Sequence, residues 1–154
     1  MKRAFTLVEL LIYIGVISVL LAILGSVVVS TLDLQLESQD TSAVESDARY
    51  ILNRITYDLH RATSLTTPAV PGQTLSNLAL VAGGQNLIYS LSDDTLILTS
   101  PLGSLPLTSI DTLVNEFSVQ RLANPGGIPT VQAQITLTRG DETRSYQLSV
   151  GLRN

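Results

Sequence analysis

From Leu10 to Leu32 the chain carries no charged side chain, and the residue just before that run is a carboxylate, Glu9. About 20 predominantly apolar residues are needed to cross a bilayer as a helix, and Leu10–Val29 is a run of 20 residues with no charge. A secretory signal would have a shorter apolar region, about 7–15 residues, closed by a small-x-small cleavage site. Ala22 and Gly25-Ser26 are weak versions of such a site. Lys2 and Arg3 precede the run, and Asp33, Glu37 and Asp40 follow it. The positive-inside bias therefore predicts a single-pass segment with a cytoplasmic N-terminus and the rest of the chain outside. An ionised side chain in hydrocarbon costs roughly 2.5–3.5 kcal/mol on insertion scales. The cheapest account of Glu9 is a cationic partner in the membrane or in an assembly built there. Hydration among the headgroups is the alternative.

Beyond the run the apolar residues keep a helical spacing. Val44, Ala48, Ile51, Leu52, Ile55, Leu59 and Ala62 recur in steps of three and four, which is one face of an α-helix. Glu45, Asp47, Arg49, Arg54, Asp58 and Arg61 fall on the other face. No proline interrupts Phe5 to Thr67, so the spacing predicts one helix of roughly 58 residues, about 87 Å long. The more polar Gln35–Ser46 stretch is where a bend or fraying is expected. Pro68, Pro71 and Gly72 end the helical pattern.

The period then changes to two. Leu87–Leu91 and Thr95–Leu98 flank Ser92-Asp93-Asp94 and read as a hairpin. Phe117 and Val119 alternate with polar neighbours, as do Val131, Ala133, Ile135 and Leu137. Tyr146, Leu148, Val150 and Leu152 repeat the pattern after the turn Arg139-Gly140-Asp141-Glu142. One apolar and one polar face per strand predicts an antiparallel sheet covered on one side, with the helix stripe as its cover. The fold class is α+β.

Little in the chain suggests catalysis. Its only histidine, His60, has no nucleophile motif beside it, and a place on the helix surface or at an interface is the simpler reading. Asp93-Asp94 and Asp141-Glu142 lack the tight run of oxygen ligands that a calcium loop needs and read as turn acids. Gly83-Gly84 and Gly126-Gly127 do not precede helices, so they are not phosphate cradles. There is no cysteine, hence neither disulfide nor thiolate metal site. No cofactor is expected. The net charge is −4 and the arginines are scattered, which argues against a nucleic-acid groove. Gly15 and Gly25 permit close helix approach, and Tyr13 marks either an interfacial belt or a packing position.

The N-terminal residues carry a resemblance. Met1-Lys2-Arg3-Ala4 followed by Phe5-Thr6-Leu7-Val8-Glu9-Leu10-Leu11 resembles the start of type IV prepilins and type II secretion pseudopilins. That pattern is a short basic leader, a small residue, then Phe-Thr-Leu-x-Glu and a hydrophobic helix. The resemblance implies cleavage between Ala4 and Phe5 by a prepilin peptidase and methylation of the new Phe5 amine. It also implies a salt bridge in assembly between Glu9 and the Phe5 amine of a neighbouring subunit. One departure is Ala4, where the family usually has glycine. Loss of Lys2 and Arg3 takes the net charge from −4 to −6 before chain ends are counted. The segment Tyr50–Ala62 is similar to the Leu-x-x-Asp-Leu-x-x-Ala helix end of the J-type minor pseudopilins.

On this resemblance residues 1–4 are a leader, 5–32 a transmembrane and assembly helix, 33–64 its amphipathic continuation and 65–154 an antiparallel β head. The fold is pilin-like. The implied partners are other pilin or pseudopilin subunits, the peptidase and an inner-membrane assembly platform. The head would be periplasmic or extracellular. The rival readings are a DNA-capturing minor pilin of a competence pilus and a plain membrane-anchored domain. The first of these would need a cluster of arginines in the folded head.

Overall fold

In a computed structural model of the chain, the described residues are 6–123 and 127–152. One α-helix, α1, runs Leu7–His60. Nine strands follow: β1 Ala62–Thr67, β2 Thr74–Leu75, β3 Asn77–Ala82, β4 Gln85–Ser92, β5 Thr95–Ser100, β6 Gly103–Pro106, β7 Leu113–Leu122, β8 Thr130–Arg139 and β9 Glu142–Gly151. The chain divides into two compact units, Met1–Gln39 and Asp40–Asn154. The arrangement is α+β, one long N-terminal helix followed by antiparallel sheets, as expected of a pilin-like architecture.

The helix ends earlier than expected. It stops at His60, and Ala62 opens β1, paired with Ala82 of β3. Ala62 is buried as a strand residue, not as the last step of the helix stripe. The hydroxyl and β-branched residues of Ala62–Thr67 favour this switch, because they suit a pleated ladder better than a helix end. The boundary drawn at residue 64 therefore moves to 60. The polar stretch of residues 35–46 does not fray and lies wholly within α1.

The strands form two sheets rather than one. The first has the order β1-β3-β4-β5-β6 and the second β2-β7-β8-β9, both antiparallel throughout. The hairpins have the turn chemistry their twist needs. Gly83 and Gly84 at β3–β4, and Asp93 and Asp94 at β4–β5, all have positive φ, as a two-residue hairpin turn requires. In β7 the register shifts between Val114 and Glu116. That bulge lets Val114 and Phe117, three residues apart, both point inward.

A single core lies within the second unit. From α1 it takes Val44, Ala48, Ile51, Ile55 and Leu59, each fully buried. Alternating residues of β3, β4, β5, β7 and β8 meet them, among them Leu80, Tyr89, Leu96, Val119 and Ile135. Each large side chain so buried contributes about 1.5–3 kcal/mol.

Candidate functional site

The N-terminal segment carries the candidate site. Among the described residues of α1, every one from Leu7 to Gln39 is exposed. One 18-residue window of the helix has a mean hydropathy of 2.7 and none of it is buried. Side chains such as Leu7, Leu11 and Val19 stand 76, 63 and 62 % exposed. A continuous apolar surface of that kind calls for lipid or a partner. The helix also meets the condition that hydrocarbon sets on polar groups. Ser18, Ser26, Ser30 and Thr31 each donate to a carbonyl three or four residues back, at 2.8–3.0 Å. No hydroxyl of this group is left to desolvate unpaired. Gly15 has nothing within 4 Å of where a Cβ would stand, and Val16, Val19, Leu20 and Ile23 border the notch it leaves. A second helix could approach closely there.

Glu9 sits in the first turn of this helix. Its backbone N–H donates to Thr6 Oγ1 at 3.3 Å, and the Leu10 N–H to the Thr6 carbonyl at 3.2 Å. Thr6 is thus the N-cap and Glu9 the third helical residue, the Thr-x-x-Glu spacing of a capping box. This cap was readable in the sequence and is easily overlooked, because the oddity of a charge in an apolar run draws attention away from Thr6. A carboxylate in the first turn also gains from the helix dipole, typically 0.3–1 kcal/mol. That gain is smaller than the cost of dehydrating the charge, so a cationic partner is still needed in lipid. Ala4 and Phe5, the expected cleavage and methylation positions, lie outside the described residues.

In the second unit the carboxylates of α1 fasten it to the strands. Asp58 is 2 % exposed. Its Oδ2 accepts from Arg54 Nε at 2.9 Å and from the hydroxyl of the fully buried Tyr89 on β4. Burial and the neighbouring Asp58 carboxylate push the Tyr89 hydroxyl well above its ordinary pKa. Asp47 accepts from the hydroxyl and backbone N–H of Ser109. Asp40 pairs with Arg139 of β8 at 3.1 Å, and Arg139 also reaches Asp111 at 3.3 Å. Helical spacing alone puts Asp47 and Asp58 on the solvent face, and the structure corrects this. A short carboxylate can sit at the edge of an apolar stripe and turn inward once a sheet supplies donors.

The remaining candidate residues do not converge on chemistry. His60 is exposed at the end of α1. Asp93-Asp94 and Asp141-Glu142 lie at two separate hairpins. Among the described residues no group of three or more His, Cys, Asp or Glu could hold a metal. A shallow depression on the second sheet is lined by Thr74, Ser118, Gln120, Gln132 and Gln134, with no titratable side chain among them to activate the two hydroxyls.

Residues 1–25 match the family model described as the prokaryotic N-terminal methylation motif. No curated protein and no solved structure matches the chain. The matched segment contains Ala4, Phe5, Glu9 and most of the apolar run, Leu10 to Gly25. With the long apolar helix it supports a type IV pilin or pseudopilin, a structural family whose members are processed by prepilin peptidase and assemble with one another.

Proposed function

We propose that this chain is a structural minor pilin or pseudopilin subunit, of the J type, serving a type IV pilus or a type II secretion system. The observation that carries the reading is a methylation motif at residues 1–25 that overlaps an apolar helical segment, residues 7–39, exposed throughout. In this reading the peptidase cuts between Ala4 and Phe5 on the cytoplasmic face, and the Phe5 amine is then methylated. The apolar helix waits in the membrane until an assembly platform extrudes it into a filament. Glu9 pairs with the Phe5 amine of a neighbour, which offsets the dehydration of both charges and sets the stagger between helices. The head stays outside and meets other subunits.

The test is the N-terminal mass of the protein recovered from its native membranes, with and without an active prepilin peptidase. A chain beginning at methylated Phe5 and dependent on the peptidase supports the reading. An intact Met1 in both samples would leave a membrane-anchored domain and remove the filament role. Glu9→Val then asks whether the carboxylate matters: lost assembly with an intact head is the expected outcome.

A further inference from the structure

Tyr50, Arg54 and Tyr57 on α1 and Arg61 in the turn just past its end follow in steps of four, three and four. These steps line them along one side of the helix. Tyr50 and Tyr57 stand 50 and 52 % exposed. The Tyr57 ring lies between two guanidinium groups, with the Arg54 carbon 5.9 Å and the Arg61 carbon 5.0 Å from its centroid. Arg61 also donates to the Tyr57 hydroxyl. The stack holds both aromatic and cation in place before any partner arrives, which lowers the ordering cost of binding.

Charge is segregated along α1 and the turn residue after it. Asp33, Glu37, Asp40, Glu45 and Asp47 come without a cation between them, whereas Ala48–Arg61 has three arginines and one carboxylate, the buried Asp58. Most of these charges are satisfied locally: Arg49 with Glu45, Arg54 with Asp58, Asp40 with Arg139 and Asp47 with Ser109. Among the described residues four in this stretch have no oppositely charged partner: Asp47, which is held by Ser109 instead, and Asp33, Glu37 and Arg61. Asp33 and Glu37 are one turn apart, and Leu32, Leu34 and Leu36 around them are 53, 65 and 60 % exposed. One segment thus offers carboxylates flanked by bare leucines, and the other a cation flanked by half-bare tyrosine rings.

We propose that the Tyr50–Arg54–Tyr57–Arg61 face receives the Leu32–Glu37 segment of a second copy of this chain, lying parallel to it in the assembly. This rests on the assembly reading above and adds a named neighbour to it. Arg61 pairs with the second copy's acids, and the tyrosine rings cover its leucines. Copies inserted in the membrane with the same polarity present these segments at different levels, so the contact is head-to-tail and staggered. A nucleic acid is the poorer occupant, because phosphate binding needs several uncompensated cations and this face has one.

The chain has no cysteine, so an introduced pair reports without background. Two differently tagged full-length copies are expressed together in the native assembly system, one with Glu37→Cys and the other with Arg61→Cys, and treated with a short bismaleimide. A dimer carrying both tags is expected, and none when Thr95→Cys replaces Arg61→Cys. In cysteine-free copies, Arg61→Glu should lower co-recovery of the two tags about two- to fivefold, the range of an exposed ion pair. Adding Glu37→Arg should return it to the wild-type value. Wild-type protein in the filament fraction with no two-tag dimer overturns this proposal alone, as does loss of DNA retention in Arg61→Glu without a dimer. Wild-type protein absent from any filament fraction overturns the assembly reading and this proposal with it.

Discussion

At the scale of single residues the most consequential group in the head is Asp58. A buried carboxylate is tolerated only where donors replace water, and here Arg54 and Tyr89 do so. Removing one donor leaves the charge under-solvated, so Tyr89→Phe should lower head stability by about 1–3 kcal/mol, read from the denaturant midpoint at pH 7. The same hydroxyl sets an alkaline limit. Its pKa is raised in the folded state from an ordinary value of 10.0, by burial first and by Asp58 second. Its stabilising contribution is therefore fully present below about pH 10 and is lost as pH rises beyond that. Between pH 8 and 11 the wild type should lose more stability than Tyr89→Phe, and parallel curves for the two would contradict the assignment. Gly140 is a second sensitive point. Its φ is 56°, and an added Cβ would stand 2.7 Å from Asp40 Oδ2. Gly140→Ala thus strains the turn and displaces the Asp40–Arg139 pair, and a fall in melting temperature matching at least about 1 kcal/mol is expected.

At the scale of elements, α1 has two distinct halves, the first exposed and the second packed against the sheets. Its second half buries Ile51 and Ile55 completely against the sheets, so Ile51→Ala should cost about 2–5 kcal/mol in the head, measured by chemical denaturation. The same exchange at the exposed Ile17 should leave that value unchanged. This division was legible in the sequence, because the lipid-length run and the three-four stripe differ in composition as well as period. Strands β4, β5, β7, β8 and β9 were legible from alternation. Strands β1, β2, β3 and β6 were not, each for a physical reason. In β3, Leu78-Ala79-Leu80-Val81-Ala82 has no polar alternation, because the faces of this inner strand alternate between buried and only half-buried. The two residues of β2 are too few to show a period, β6 is exposed throughout, and β1 lies where a helix was still expected. The splitting into two sheets depends on long-range pairings such as Thr74 with Gln120, which no local pattern encodes. Of the candidate site, Ala4, Phe5 and Glu9 were legible as a motif; the Arg54–Tyr57–Arg61 stack was not, because each of these residues alone reads as ordinary surface.

At the scale of the whole molecule, the two units answer to different driving forces. Among the described residues every member of the hydrophobic core lies between Val44 and Leu152, and none belongs to the first unit. The polar ties run from Asp40, Asp47 and Asp58 to the strands and the loop before β7, so they too belong to the second unit. The first unit supplies exposed apolar surface and no part of that core. A chain of residues 40–154 therefore retains the buried contacts of the head and loses the exposed apolar surface. It should be soluble without detergent and unfold in one cooperative transition, as single domains of this size do. Its helical signal should come from 40–60 alone. The full-length chain under the same conditions should associate, because its exposed helix has no partner in water. Circular dichroism melts and size-exclusion profiles of the two chains, side by side, decide the matter. A truncated chain that melts without cooperativity would mean that the first unit stabilises the head, and that the anchor and the head fold as one body.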